Sequence, residues 1–219
     1  MIYPLFAVYG SSGYGREVMP LARDQLQLQG IPIERLVFVD DQPHASEVNG
    51  HRVLRYSEFL QYEAKERYAA LAIANSVVRE KLAVLCVGDQ VQPWTVSASN
   101  SVTLDDVSVG KGAVLSPFTI LMSNARIGKY FQANIYSHVS HDCVIGDFVT
   151  FAPGVKCNGN VVIEDHAYIG TGAIIKQGTP AKPIVIGRGA VVGMGAVVTR
   201  SVPAGVTVVG NPAKLVLKS

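Results

Sequence analysis

Residues 139–157 read Val-Ser-His-Asp-Cys-Val-Ile-Gly-Asp-Phe-Val-Thr-Phe-Ala-Pro-Gly-Val-Lys-Cys, and an apolar residue returns there at every sixth position, at Val139, Ile145, Phe151 and Cys157. Counting outward adds Val109, Leu115, Leu121, Ile127 and Ala133 on one side and Ile163, Ile169 and Ile175 on the other, twelve apolar residues in one unbroken phase. Ile186, Val192 and Val198 resume it after an interruption. Glycine follows the apolar residue at 110, 128, 146, 170, 187 and 193, where a sharp turn with no room for a side chain is expected. A six-residue step of short strand and corner closes after three steps, so the pattern predicts a triangular coil with its apolar residues on the axis. Such coils stack by parallel pairing, each satisfying the backbone groups of the next. A β-sandwich would instead show alternation with variable turns. Spacing alone carries no sign of hand, and crossovers between parallel strands are normally right-handed.

The interruption, residues 177–185, is five residues longer than the period allows and holds Pro180 and Pro183, which cannot donate to a ladder. It is expected to leave one edge of the prism as a loop, placed to cover a groove between neighbouring subunits.

Upstream of Val91 the pattern is different. Residues 3–9 form an apolar strand; residues 16–28 carry Val18, Leu21, Ala22 and Leu28 at helical spacing; residues 36–39 form a second strand ending on Asp40 and Asp41. A third strand is expected over 69–74, with helices over 57–67 and 77–85. The chain therefore divides into residues 1–90, an α/β domain with a small, Rossmann-like parallel sheet, and residues 91–219, an all-β parallel coil.

The totals exclude several functions. The formal net charge is +2 with no block of Lys or Arg, so the footprint needed for nucleic acid is missing. Cys86, Cys143 and Cys157 form no C-x-x-C pair, which argues against a disulfide framework or a Cys-ligated metal and for reduced thiols in the cytoplasm. The apolar opening, residues 2–8, leads into a glycine-rich turn rather than a small-residue cleavage site, and no apolar run approaches the ~20 residues of a membrane span. A soluble, unprocessed protein is expected.

Two clusters carry chemistry. Gly10-Ser11-Ser12-Gly13-Tyr14-Gly15 lies between a strand and a helix, where backbone N–H groups can cradle a diphosphate, although a tight turn explains such a loop equally well. Asp40 and Asp41, ending the next strand, can accept from ribose or base groups or simply cap their loop. In the repeat region, His141 alone among the five histidines is followed by a carboxylate in a His-acid pair, Asp142. At a corner, neighbouring side chains need not diverge as they do on a strand, so Asp142 can reach the imidazole, set its tautomer and stabilise the imidazolium. One coil of 18 residues places Ser123 below His141 and Gly159 above it, leaving a thioester an open approach and a backbone N–H for its oxyanion.

Hexads such as Ile145-Gly146-Asp147-Phe148-Val149-Thr150, with Gly210-Asn211-Pro212-Ala213-Lys214 after them, resemble the hexapeptide-repeat acyltransferases. The glycine-rich opening, Val39-Asp40-Asp41, Ala72-Ile73-Ala74-Asn75 and His141-Asp142-Cys143-Val144-Ile145-Gly146, in that order, extend the resemblance over the whole chain to the nucleotide-sugar N-acetyltransferases and sialic acid O-acetyltransferases of bacillosamine- and perosamine-type pathways. The resemblance implies a left-handed parallel β-helix, a homotrimer with active sites between subunits, and acetyl-CoA along the helix groove as co-substrate, with no metal. It implies N-acetylation of the 4-amino group of a nucleotide-linked amino-deoxy sugar, foremost a UDP-linked one, for bacterial glycan or polysaccharide biosynthesis.

By the same resemblance His141 is the catalytic base, assisted by Asp142. Substrate contacts fall to Gly10, Ser12, Gly13, Tyr14, Gly15, Asp40, Asp41, Asn75 and Asn134, and acetyl-CoA contacts to Thr150, Asn158, Gly159, Gly172, Gly193, Met194, Gly195, Pro212 and Lys214. Where some of those enzymes carry a second histidine near the thioester, this chain has Thr150. Three rival readings are a sugar O-acetyltransferase, a non-catalytic nucleotide-sugar-binding subunit, and a metal-dependent carbonic anhydrase using His138, His141 and His166. The last is disfavoured because those histidines occupy three different places of the hexad.

Overall fold

In the first strand, β1 (Leu5–Tyr9), every residue is buried, which is the reason it reads as a continuous apolar run rather than an alternating one. The computed structural model, which describes residues 3–216, resolves into two units, one running to Ser99 with Gly112–Val114 added and the other comprising Asn100–Lys111 and the chain from Leu115. Ile2, part of the apolar opening, lies outside the described residues.

In the first unit β1 is followed by α1 (Gly13–Leu28), β2 (Leu36–Val39), β3 (Glu47–Val48), β4 (His51–Leu54), α2 (Tyr56–Gln61), β5 (Arg67–Leu71), α3 (Ser76–Gly88) and β6 (Val91–Pro93). The sheet order is β3-β4-β2-β1-β5-β6, parallel except for the β3–β4 pair. The chain thus leaves β1 toward β2 on one side and β5 on the other, which makes a switch point at the carboxyl ends of β1 and β5.

Helix α1 starts three residues before its apolar period is visible. A Cβ on Gly15 would collide with the Gly10 carbonyl, so only glycine lets the helix begin that close to the strand. The expected helix over 57–67 ends at Gln61 instead, and β5 spans 67–71 rather than 69–74. Arg67 explains the shift: its guanidinium donates to the carbonyls of Phe59 (3.1 Å) and Tyr62 (2.6 Å), tying the start of the strand to the helix end.

The second unit is a three-walled stack of parallel strands. One wall holds Val102–Thr103, Ile120–Leu121, His138–Val139, Lys156–Cys157, Ile174–Ile175 and Val197–Val198. The next holds Ser108–Val109, Arg126–Ile127, Val144–Ile145, Val161–Ile163 and Ile184–Ile186, and the third includes Gln132–Ala133, Thr150–Phe151, Tyr168–Ile169 and Val191–Val192. Before the interruption pairing places each residue on the one 18 positions later, as His138 on Lys156 and Ile145 on Ile163; across it the offset is 23, as Ile163 on Ile186. The axial column, including Leu121, Ile145, Phe151 and Ile175, is buried, each large side chain contributing roughly 1.5–3 kcal/mol. A second buried column, unforeseen from the six-residue count, lies two positions earlier at Ala125, Phe131, Cys143, Val149, Val155, Val161, Ala167 and Ala173.

The glycines after the apolar residues turn out not to be the turning residues. The backbone enters the left-handed region two positions further on, at 106, 112, 118, 124, 130, 136, 142, 148, 154, 160, 166 and 172, only three of which are glycine. Gly110, Gly128, Gly146 and Gly170 serve close stacking instead: a Cβ on Gly128 would sit 2.5 Å from the Gly146 carbonyl carbon. The loop of the interruption is also shorter than expected, because Ile184 and Val185 already pair with Val161 and Val162. Its tip is pinned by reciprocal backbone bonds between Thr179 and Lys182, 3.1 and 3.0 Å.

Gly128→Ala is expected to lower stability by about 1–3 kcal/mol through overpacking, while Gly88→Ala, whose new Cβ meets nothing within 4 Å at the end of α3, is neutral or stabilising. Urea unfolding of the two variants checks both signs.

Candidate active site

From Asn124 to Gly172, each left-handed corner residue donates its N–H to a carbonyl 19 residues earlier. Asn124 donates to Asp105 (3.1 Å), Asp142 to Ser123 (3.2 Å) and Asn160 to His141 (3.1 Å). These three share one edge of the prism, 18 residues apart.

At this edge His141 Nδ1 lies 2.7 Å from Asp142 Oδ2, and Asn124 Nδ2 donates to Asp142 Oδ1 at 3.1 Å. The hydrogen bond with His141, and then that from Asn124, hold the Asp142 carboxyl below the usual carboxylate range. With the carboxylate ionised, Nδ1 carries the proton and Nε2 keeps a lone pair. About half of each side chain is exposed, 48% for His141 and 47% for Asp142, so the pair faces solvent rather than a packed interior. Above it is Gly159, where a Cβ would sit 2.5 Å from both Nε2 and Cε1 of the imidazole. The missing side chain is what lets the ring lie against the next coil.

Inside the same corner, Cys143 Sγ donates to the Asn158 carbonyl at 3.1 Å. In a trans peptide N–H and C=O point in opposite directions, so the Gly159 N–H points away from that thiol. Gly178 N–H reaches the Gly159 carbonyl at 2.9 Å, rooting the loop of the interruption beside the corner.

The remaining residues singled out in the coil region scatter over other positions. Asn134, Gly172, Gly193, Met194 and Gly195 belong to a different edge, between the third wall and the first. Asn134 donates its side-chain amide to the Phe151 carbonyl (2.8 Å), and Asn158, at the same place in its hexad, does the same to Ile175 (2.8 Å), so both brace the next coil. Thr150 is buried in the third wall between Gln132 and Tyr168. Met194 is largely exposed, Pro212 follows Asn211 through a cis peptide, and Lys214 lies on an exposed terminal strand antiparallel to Thr207–Val209. Asn124 escaped the sequence reading, although it sits 18 residues before Asp142 and that spacing would have found it.

His138, His141 and His166 stand on a wall and at two separate edges, and the His166 ring stacks on Phe148 at 5.3 Å. Among the described residues no group of three His, Cys, Asp or Glu side chains is arranged to hold a metal, and no helix is long and apolar enough to cross a membrane. The three cysteines are buried and form no disulfide.

In the first unit the second cluster gathers at the carboxyl ends of β1, β2 and β5. Gly10, at φ +109°, packs so closely that a Cβ would meet the Ala72 carbonyl at 2.9 Å. Ser12, Gly13, Tyr14 and Gly15 open α1. Asp40 accepts from Ser11 N–H (3.1 Å), Ser11 Oγ (2.5 Å) and Gln42 N–H (3.0 Å). Burial pushes its carboxyl up, but these bonds outweigh burial and hold it below the ordinary range. Asp41 takes the Tyr9 hydroxyl at 2.9 Å from each oxygen. Asn75 caps α3 by accepting from the N–H groups of Val77 and Val78. Unforeseen from sequence is Arg79, 1% exposed, whose guanidinium donates to the carbonyls of Ile73 (2.7 Å) and Ala74 (3.2 Å) beneath that cap.

A triangular β-helix with a half-exposed His-Asp pair at one corner, resting on a glycine, defines an acyltransferase of the hexapeptide-repeat class. Comparison with known proteins gives the family. A family model described as the PglD N-terminal domain matches residues 6–84. Over 185 residues, 84% of this chain and 84% of the relative, the sequence is 49% identical to the GDP-perosamine N-acetyltransferase of Escherichia coli O157:H7. WeeI from Acinetobacter baumannii AYE superposes with a TM-score of 0.94 at 59% identity, over 97% of this chain and 100% of that one. The acetyltransferase domain of PglB from Neisseria gonorrhoeae FA1090, in complex with acetyl coenzyme A, superposes with a TM-score of 0.86 at 27% identity, over 98% of this chain and 100% of that one. The chain belongs to this family of hexapeptide-repeat sugar N-acetyltransferases, and its prism is their left-handed parallel β-helix.

Gly159→Ala would push the imidazole off its seat. Acetyl transfer is expected to fall by about a hundredfold while far-UV circular dichroism stays that of the parent protein.

Proposed function

We propose that the protein transfers the acetyl group of acetyl-CoA to the 4-amino group of a nucleotide-linked amino-deoxy sugar, with His141 as base. The observation that carries this reading is the hydrogen bond between His141 Nδ1 and Asp142, which leaves Nε2 as the basic nitrogen at an exposed corner. The neutral amine attacks the thioester carbonyl carbon, and the N–C bond forms as the carbonyl becomes an oxyanion. Nε2 takes the ammonium proton; the C–S bond then breaks, and the imidazolium returns the proton to the departing thiolate. Asp142 stabilises the imidazolium between the two steps. The Gly159 N–H, turned away from Cys143, supplies a donor for the oxyanion.

Residues 1–90 serve in this reading as the nucleotide-sugar domain, and residues 91–219 as the acetyltransferase domain. The diphosphate lies over Gly10, Ser12, Gly13, Tyr14 and Gly15 at the start of α1, where N–H groups converge. Asp41, which takes the Tyr9 hydroxyl while Asp40 takes three donors from Ser11 and Gln42, is better able than Asp40 to accept from ribose or base.

The residues assigned to acetyl-CoA are divided between two edges of one prism: Asn158 and Gly159 beside His141, and Gly172 with Gly193, Met194 and Gly195 elsewhere. A second copy bringing its own edge against the first supplies both sets to one ligand, which supports a homotrimer with sites between subunits. Buried, unbridged cysteines and a substrate drawn from activated sugars support a cytoplasmic enzyme of bacterial glycan synthesis.

Two measurements test the proposal. Thiol release from acetyl-CoA with a panel of UDP- and GDP-linked 4-amino-4,6-dideoxy sugars should show turnover with a 4-amino acceptor and none with its 4-hydroxy counterpart, and His141→Ala should lower kcat by about a hundred- to ten-thousandfold while the sugar nucleotide still binds. Wild-type protein that binds the sugar nucleotides without releasing thiol would leave the binding-subunit reading in its place. Sedimentation equilibrium should return three times the 23.4 kDa chain mass; a monomer that turns over would overturn the shared-site arrangement.

A further inference from the structure

The edge that carries His141 presents a column of left-handed residues, Asp106, Asn124, Asp142 and Asn160, one per coil and alternating carboxylate with amide. Within it, Asn124 does two things. Its backbone N–H is spent on the Asp105 carbonyl, which fixes its place in the stack, and its side-chain amide donates to Asp142 Oδ1 at 3.1 Å. Asp142 Oδ2 is the atom 2.7 Å from His141 Nδ1. The carboxylate is therefore held at both oxygens, from below by the amide and from the side by the imidazole.

That grip matters because Asp142 is exposed. An exposed carboxylate held by a single bond can rotate about its χ2, and the proton on Nδ1 then exchanges the carboxylate for water. A donor on the second oxygen removes that freedom. The left-handed backbone makes the contact possible: Asn124 and Asp142 have φ of +63° and +57°, so the two side chains leave their coils in the same direction and lie one above the other. Asparagine suits the position twice, because it tolerates that conformation and brings an N–H donor.

We propose that Asn124 is a positioning residue for acetyl transfer, the outer member of an Asn124–Asp142–His141 relay that fixes the Nδ1-protonated tautomer and so keeps Nε2 as the base. This rests on the functional reading above. Asn124 touches neither the sugar nor acetyl-CoA in this scheme and acts only through Asp142. The charged groups facing the relay are few: Asp106 on the coil below is engaged by Arg126 Nη2 at 2.8 Å, and His141 itself faces Asp142.

Asn124→Asp and Asn124→Gly both keep a residue that tolerates the left-handed backbone, so both are expected to fold, and thermal melts compare them with the parent. Asn124→Asp keeps the shape but replaces the donor with a second carboxylate. Steady-state kinetics use acetyl-CoA and whichever UDP- or GDP-linked 4-amino-4,6-dideoxy sugar the wild type turns over. Both variants should lose kcat roughly tenfold with KM for acetyl-CoA unchanged. In Asn124→Asp the acid limb of the kcat/KM profile should also move to higher pH, because the added negative charge favours the imidazolium and the base must be neutral to act. A wild type that turns over beside variants with unaltered kcat and an unmoved limb overturns the relay while leaving the functional reading intact. A wild type without turnover on any acceptor overturns both.

Discussion

Twelve successive corners of the prism, from Asp106 to Gly172, ask a residue to adopt positive φ, and eleven described positions of the chain do so without being glycine, nine of them in the coil region from Asp106 to His166. The conformation costs an ordinary residue roughly 1–2 kcal/mol. The corner N–H, bonded to a carbonyl 19 residues earlier, returns a comparable amount of about 1 kcal/mol. Neither the corner nor the stacked coil is stable by itself, since the strain is local and its compensation lies one full turn away. This mutual dependence is what makes the repeat fold as a stack. It also explains the close-stacking glycines, because the carbonyls that accept those bonds must come within reach of the coil above.

The same constraint builds the site. On a straight strand His141 and Asp142 would point to opposite faces, but at a left-handed corner they meet at 2.7 Å. Because every corner has the same geometry, columns of side chains rise along each edge at the coil spacing. One edge fills its column with aromatic rings, Tyr130 on Phe148 and Phe148 on His166, with ring planes 6° and 9° apart. Another fills it with Asp and Asn. What sets them apart is only which residue types occupy otherwise equivalent positions, so chemistry can be written on one edge without disturbing the core.

The first unit reaches a comparable end by different means. Its parallel sheet brings three loops to the carboxyl ends of β1, β2 and β5; glycine at 10 lets the β1 loop approach the β5 loop at backbone distance, and glycine at 15 lets α1 approach the β1 loop in the same way. The polar residues there are largely bound to one another, Asp40 to Ser11, Asp41 to Tyr9 and Asn75 to the start of α3. Such bonds hold a loop ready for a ligand whose contacts are made by the backbone. Arg79, buried under the β5 loop, belongs to the same framework.

By itself the sequence determined the triangular coil, its axial column and the change of architecture near Val91, because a strict six-residue period has few other structural solutions and each repeat states it again. It also singled out His141 and Asp142, since adjacency along the chain is all their meeting requires. The tertiary structure decided what depends on residues a whole coil apart. Gly128 is needed because Gly146 lies against it, the turning residue stands two places after the glycine, and Asn124 completes the carboxylate's hydrogen bonds from the coil below. In the first unit the ends of β5 and α2 followed from Arg67 reaching back to Phe59 and Tyr62. A local pattern records the period of a backbone, whereas which side chains meet across a stack is set only once the register between coils exists.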